Sequence, residues 1–205
     1  MSYEFPEALL IQFAKAPLLG RVKTRMQPVL SELQSLQLHR DLVRRTHATL
    51  HQEDLCQSQL WVSDVDSTGF FQSLLPPPDI QYQRGIDLGE RMHLAIATGL
   101  QQWQSVILIG SDCPAINTRY LRRTLQALGS VDVVLGPAAD GGYVLIAMKV
   151  AEQRVFAGVA WSTCRVLAQT RARLASLQLS YVELPVLHDI DRPEDLVHLE
   201  SLAPL

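Results

Sequence analysis

Ser105-Val106-Ile107-Leu108-Ile109 is a short run of continuous apolar character that stops at Gly110. A strand with no polar face has to be covered on both sides, which places it in the middle of a parallel sheet with helices above and below. Ala8 to Phe13 reads as a second buried strand, an apolar run ended by charged residues and Pro/Gly punctuation. Further strands are expected over Gln59 to Ser63, Ile80 to Gln83, Val131 to Leu135, Tyr143 to Met148 and Tyr181 to Leu184. Between them lie helical patterns. Ser31-Glu32-Leu33-Gln34 has the spacing of a capping box and opens a helix to about Leu50, with Leu36, Val43 and Leu50 on one face. Leu88 to Gln101, Asn117 to Leu128 and a helix capped by Thr163 to about Leu177 follow, with a helical piece from Phe70 to Leu75 and a last helix from Pro193. Strand and helix alternate throughout, so the fold class is α/β with helices on both faces of a mostly parallel sheet.

Composition sets the outer limits. A chain of 205 residues is expected to form one domain, 1–205, and to bury about 70% of its unfolded surface. With 18 Lys and Arg against 21 Asp and Glu, its basic charge is local, which argues against a general nucleic-acid binder. No stretch approaches the roughly 18 apolar residues of a membrane span. Met1 to Glu7 carries no basic segment, so no secretory signal is expected. Cys56, Cys113 and Cys164 are widely spaced and suit neither a disulfide framework nor a zinc site, which points to a cytoplasmic protein.

The local basic charge falls directly after the first strand. Lys15, Arg21, Lys23 and Arg25 share one loop, and Gly20 lets its backbone turn tightly. Such a patch fits phosphates, each charge-assisted hydrogen bond contributing about 1.5–3 kcal/mol; a merely solvated loop is the alternative. In open α/β sheets ligands gather at the carboxyl ends of strands, and three acidic motifs sit just past such ends.

Ile109-Gly110-Ser111-Asp112-Cys113-Pro114 puts Asp112 at a strand tip. One or two carboxylates suit Mg²⁺, which keeps its other positions for water and phosphate; a capping role for Asp112 is the alternative. Asp140-Gly141-Gly142-Tyr143 is either a plain hairpin turn or a cleared space where Asp140 meets an acceptor hydroxyl or a metal-bound water. In an extended segment Asp189 and Asp191 would face one side and repel unless a cation holds them, giving a second metal candidate. Asp191 could also cap the helix from Pro193. Glu90, in a first helical turn, suits the helix dipole, while Arg91 could reach a phosphate or a carboxylate across the cleft. His47 and His51 share a helix face but lack the Glu of a zinc-protease motif, so they read as ordinary histidines.

With these residues assembled, the chain resembles a family of bacterial glycosyltransferase-like proteins associated with radical-SAM proteins, within the nucleotide-diphospho-sugar transferase (GT-A-like) superfamily. Six stretches carry the resemblance along almost the full length: Phe13-Ala14-Lys15 with Gly20 to Arg25, Asp87 to Met92, Gly110 to Pro114, Gly136 to Tyr143, Trp161-Ser162-Thr163 and Asp189 to Leu196. The Lys23-Thr24-Arg25 and Gly110-Ser111-Asp112 elements are also similar to those of phospholactate and molybdopterin guanylyltransferases. The resemblance implies a three-layer α/β/α fold and a nucleotide donor at Lys15, Gly20, Arg21, Lys23, Thr24, Arg25 and Arg91. It also implies Mg²⁺ or Mn²⁺ on Asp112, with Asp191 and Asp189 as the second metal group. No Asp-x-Asp stands at the Asp112 strand end, a departure from many glycosyltransferases.

Three functions follow as expectations. In glycosyl transfer, an NDP-sugar would give its sugar to a small acceptor, with Lys23, Arg25 and the metal stabilising the diphosphate and Asp140 as base. In nucleotidyl transfer, a phosphorylated acceptor would attack an NTP and release pyrophosphate, with Lys23 and Arg25 on the outer phosphates. A non-catalytic nucleotide-binding protein would need none of the metal ligands.

Overall fold

The computed structural model describes residues 2–27 and 29–200, so of the expected domain 1–205 residues 1, 28 and 201–205 lie outside the description. Seven strands form one sheet: β1 (Ala8–Ala14), β2 (Gln57–Val62), β3 (Ile80–Tyr82), β4 (Ser105–Gly110), β5 (Val133–Pro137), β6 (Tyr143–Met148) and β7 (Tyr181–Glu183), in the order β3-β2-β1-β4-β6-β5-β7. All pairings are parallel except those of β6, which runs antiparallel to both β4 and β5. The sheet is therefore mixed but mostly parallel. β6 begins at the edge where β1, β4 and β5 end.

Alternation along the central strands divides the core into two layers. Leu9, Ile11 and Phe13 of β1 and Val106 and Leu108 of β4 pack with Met92 and Ile96 of α2 (Leu88–Gly99) and Leu167 and Leu174 of α4 (Val166–Ser176). Leu10, Ile107 and Ile109 face the other way, onto Tyr120, Leu121 and Leu125 of α3 (Thr118–Leu128) and Leu50 of α1 (Glu32–Leu50). Every residue of β1 is buried. Each large aliphatic side chain so covered contributes about 1.5–3 kcal/mol.

The helix starts follow local chemistry. Ser31 Oγ accepts from Gln34 N and Gln34 Oε1 accepts from Ser31 N, the reciprocal box expected. Asn117 Oδ1 accepts from Tyr120 N at the head of α3. Asp87 caps α2 through Glu90 N, while the Glu90 carboxylate accepts from Ile86 N.

Four expectations shift. The piece at Phe70 to Leu75 is one 3-10 turn, Phe71–Ser73. β5 starts at Val133, because Asp132 Oδ2 is taken by Ser180 N and Oγ before the ladder begins. Thr163 does not cap α4: its hydroxyl donates to Ala160 O, and Ser162 turns the chain at φ 62°, so the helix begins at Val166. Pro193 opens a 3-10 turn, Pro193–Leu196, that continues into α5 (Val197–Glu200).

Past β7 the chain continues alongside β5: Leu187 N donates to Pro137 O and Ala139 N to Leu187 O. It then reaches the end of β4, where Ile190 N donates to Asp112 O at 2.8 Å. That path delivers two late aspartates to a site begun by the first strand.

Candidate functional site

The six stretches singled out in the sequence meet along the strand-end edge. Lys23 is their hub. It follows the loop after β1 in a left-handed conformation, φ 49° and ψ 37°, and heads the 3-10 turn Thr24–Met26. Val22 and Met26 are buried on either side, Met26 against Leu42 of α1 and Ile190. This packing turns the Lys23 side chain inward, where only 3% of it is exposed.

Its ammonium meets three oxygens. Asp112 Oδ1 lies at 2.7 Å, Ile190 O at 2.5 Å and Asp191 Oδ1 at 3.4 Å. An ammonium has three protons and no acceptor, so this set satisfies it. Arg25 Nη1 reaches the second oxygen of Asp191 at 2.8 Å. Asp191 is not consumed as a cap, since Asp195 Oδ2 accepts from both Asp191 N and Arg192 N.

Asp112 is 46% exposed in its side chain. Packing around the Asp112 carboxyl pushes its pKa up. Lys23, by charge and hydrogen bond, overrides this with help from His39 and Lys15 and holds it below the ordinary carboxylate range. Among the described residues no cation pairs with Asp189 in this way. Desolvation, then the nearby charges of Asp140, Asp191 and Asp112, push it up to about 6. Four carboxylates thus face one region, two of them held by Lys23 and Arg25.

Asp140 stands exposed on the β5–β6 turn, its Oδ1 accepting from Gly142 N at 2.8 Å. Gly141 sits at φ 89° against the Cys164 backbone, and its carbonyl accepts from Leu167 N, so α4 is tied to the turn. Trp161 packs on Gly89 of α2 and meets Tyr143 edge-on at 6.4 Å between ring centroids.

The other expected donor-binding residues divide. Lys15 and Arg21 are exposed and make no ion pair among the described residues. Gly20 takes φ 72°, the turn required of it, and Thr24 is exposed. Arg91 does not join the Lys23 cluster: its Nε donates to Gly85 O at 3.1 Å, holding the loop before α2. His47 and His51 donate to Pro76 O and His47 O, and their rings lie tilted at 4.3 Å between centroids.

A buried polar layer beneath the site was not singled out from the sequence. Gln12 Nε2 donates to Val43 O and to Ser111 Oγ, and Ser111 Oγ donates to Phe13 O at 2.8 Å. His39 Nε2 donates to Lys15 O at 3.0 Å, and burial lowers its pKa. This layer ties β1, β4 and α1 together directly under Lys15 and Asp112. Its signal was a single polar residue, Gln12, inside an apolar strand.

Among the described residues no group of three His, Cys, Asp or Glu side chains is arranged to hold a metal ion. Asp112 and Asp191 provide the one or two carboxylates that Mg²⁺ takes, with Lys23 now between them.

The sheet order, with its one reversed strand, defines an α/β fold of the nucleotide-diphospho-sugar transferase type. The profile of the family described as "Uncharacterized protein conserved in bacteria (DUF2064)" matches residues 36–163, and the chain belongs to that family. No curated protein sequence matches it. The crystal structure of a "putative nucleotide-diphospho-sugar transferase" from Desulfovibrio desulfuricans G20 is similar at a TM-score of 0.88 and 29% identity, over 96% of this chain and 87% of that one. A manganese complex of Rv0371c from Mycobacterium tuberculosis H37Rv shares the fold at a TM-score of 0.59 and 16% identity, over 95% and 98% of the two chains. CMP:2-keto-3-deoxy-manno-octonic acid synthetase complexed with CTP does so at 0.62 and 10%, over 95% and 97%. Of these, the Desulfovibrio protein, at 29% identity, supports a nucleotide-using transferase, while the other two show the shared fold alone. No helix among the described residues is long and apolar enough to cross a membrane.

Proposed function

We propose that this chain is a divalent-cation-dependent transferase that takes a nucleotide-activated donor and transfers a glycosyl group from an NDP-sugar to a small acceptor. The observation that carries the proposal is the strand-end centre in which Lys23 and Arg25 meet Asp112 and Asp191, with Lys15 and Arg21 exposed on the same loop and in no ion pair among the described residues. Two such cations match a diphosphate, and Asp112 with Asp191 would hold Mg²⁺ or Mn²⁺ beside it, Asp189 lying close by. Such a metal ion supplies charge stabilisation to the leaving diphosphate.

In this reading Lys15, Gly20, Arg21, Lys23, Thr24 and Arg25 form the donor-phosphate loop, and Arg91 shapes the donor site by fixing the Gly85 loop. Lys23 and Arg25 neutralise developing charge. Asp140, exposed on its turn, takes the acceptor proton. Chain 1–205 acts as one domain in the cytoplasm. An association with radical-SAM proteins belongs to the same proposal and rests on the motif resemblance alone.

A second reading is nucleotidyl transfer with release of pyrophosphate. It is favoured by the number of cations on the loop, since Lys23 and Arg25 added to Lys15 and Arg21 exceed what a diphosphate requires.

Thermal shifts with Mg²⁺ or Mn²⁺ and equal concentrations of NTPs, NDPs and NDP-sugars test both. A ligand at 100 times its Kd adds about 2.7 kcal/mol. Selective stabilisation by one NDP-sugar is expected. Selectivity for one NTP favours nucleotidyl transfer and calls for a pyrophosphate assay, and a shift with no nucleotide overturns both.

A further inference from the structure

We infer that the Lys23 ammonium and the divalent cation are alternative occupants of one position between Asp112 and Asp191, so that Lys23 must withdraw before the cation binds. The inference rests on the proposed metal reading of Asp112 and concerns how that site is opened.

Lys23 Nζ stands between Asp112 Oδ1 at 2.7 Å and Asp191 Oδ1 at 3.4 Å, and Ile190 O completes its shell at 2.5 Å. A cation shared by Asp112 and Asp191 through these two oxygens would stand where the ammonium stands. That is the space the ammonium fills, and two cations cannot share it. Asp191 cannot turn its other oxygen to a metal freely, because Arg25 holds it. The carboxylates nearby, Asp189 and Asp140, are unpaired with any cation among the described residues and keep the region negative once Lys23 leaves.

The chain is built for this withdrawal. Among the described residues Lys23 is one of three non-glycine residues with positive φ, a conformation that costs a side-chain-bearing residue energy. The turn at Gly20, φ 72°, precedes it. Lys15 and Arg21 on the same loop draw phosphate towards it, and a phosphate oxygen offers the ammonium the anion it gives up at Asp112. Donor and cation therefore bind with positive coupling: each is weak alone, because Lys23 still occupies the acidic pair, and each strengthens the other by the same factor.

Mn²⁺ alone, counted by electron paramagnetic resonance on the full chain, tests this without turnover. Lys23→Met, of similar length but uncharged, should bind Mn²⁺ about tenfold more tightly than the wild type, within the usual range of such couplings. Adding Asp112→Asn should remove the gain. Equal affinity in wild type and Lys23→Met, both lost on Asp112→Asn, leaves the metal centre standing and overturns the exclusion. Indifference to Asp112→Asn overturns the metal reading of Asp112 itself, as does absence of bound Mn²⁺ in both proteins at millimolar metal.

A wild-type measurement decides should Lys23→Met not fold. Lys15, Lys23 and Lys149 are the lysines of the chain, and acetylation by an amine-reactive ester is read peptide by peptide. In chelator Lys23 should label far more slowly than exposed Lys149. Mn²⁺ at a concentration where binding is detected should raise Lys23 labelling severalfold and leave Lys149 unchanged; unaltered Lys23 labelling overturns the inference.

Discussion

Trp161 lies on Gly89 with no room for a side-chain carbon between them: a Cβ at position 89 would stand 2.6 Å from Trp161 Cζ2. The indole cannot yield easily, since it packs edge-on against Tyr143 and beside Phe156. Gly89→Ala gains about 1 kcal/mol of helix propensity and loses more to overpacking, roughly 1–3 kcal/mol, so a net loss of stability is expected. Urea unfolding should show the double variant Gly89→Ala, Trp161→Phe recovering part of it, and strict additivity would rule out the contact as the cause.

Ser111 accepts from Gln12 and donates to Phe13 O within the core. Ser111→Ala strands both partners, at about 1–3 kcal/mol. Because the same hydroxyl ties the β1 and β4 ends beneath Asp112, nucleotide-dependent stabilisation should fall along with the urea midpoint. A variant that loses neither would remove this hydroxyl from the support of the site.

Asp112→Asn should abolish metal-dependent stabilisation by nucleotide while leaving the circular dichroism spectrum unchanged. Removing one partner of a buried ion pair costs roughly 3–5 kcal/mol, but Asp112 is 46% exposed, which brings the expected cost down to on the order of 1–2 kcal/mol. Unchanged metal and nucleotide affinity would exclude Asp112 from the site.

His39 and His47 are buried, and desolvation holds both imidazoles below their ordinary value of 6.5. Near that pH the unfolded chain takes up protons that the folded chain refuses, so their contribution is present above it and is lost as pH falls. Asp189, pushed up to about 6, works in the opposite sense. A variant carrying His39→Gln and His47→Gln retains Asp189, so the comparison isolates the imidazoles. Between pH 7.5 and 5.5 the wild type should lose urea stability relative to that variant; a constant difference would show that these rings titrate normally in the fold.

The layers of the fold were legible because they are written locally. Ser105 to Ile109 announced a strand covered on both faces, and Ser31 with Gln34 announced the start of α1, each within a few residues. The reversed sense of β6 was legible only as one of two alternatives: a hairpin turn at Asp140-Gly141-Gly142 implies it, whereas Tyr143 to Met148 itself reads the same in either direction. The site divides in the same way. Lys23, Arg25, Asp112 and Asp191 could be picked out singly by type and position. That Lys23 joins the other two acidic groups across 89 and 168 residues, rather than waiting for a phosphate, depends on the crossing of the 187–191 segment and has no local sign. Thr163 misled because a hydroxyl one turn ahead of a helix serves equally well in the preceding turn.

The two outer strands of the sheet, β3 and β7, are three residues long. Pro76-Pro77-Pro78 stands just before the first, and Pro185 follows closely on the second. A proline offers no amide proton to a neighbouring ladder, and three residues leave few unpaired groups between the stops. The sheet therefore ends on both sides in borders that another chain cannot extend. Its long apolar strands, the segments most prone to cross-molecular pairing, are confined to the interior, and self-association into fibres meets only two short edges.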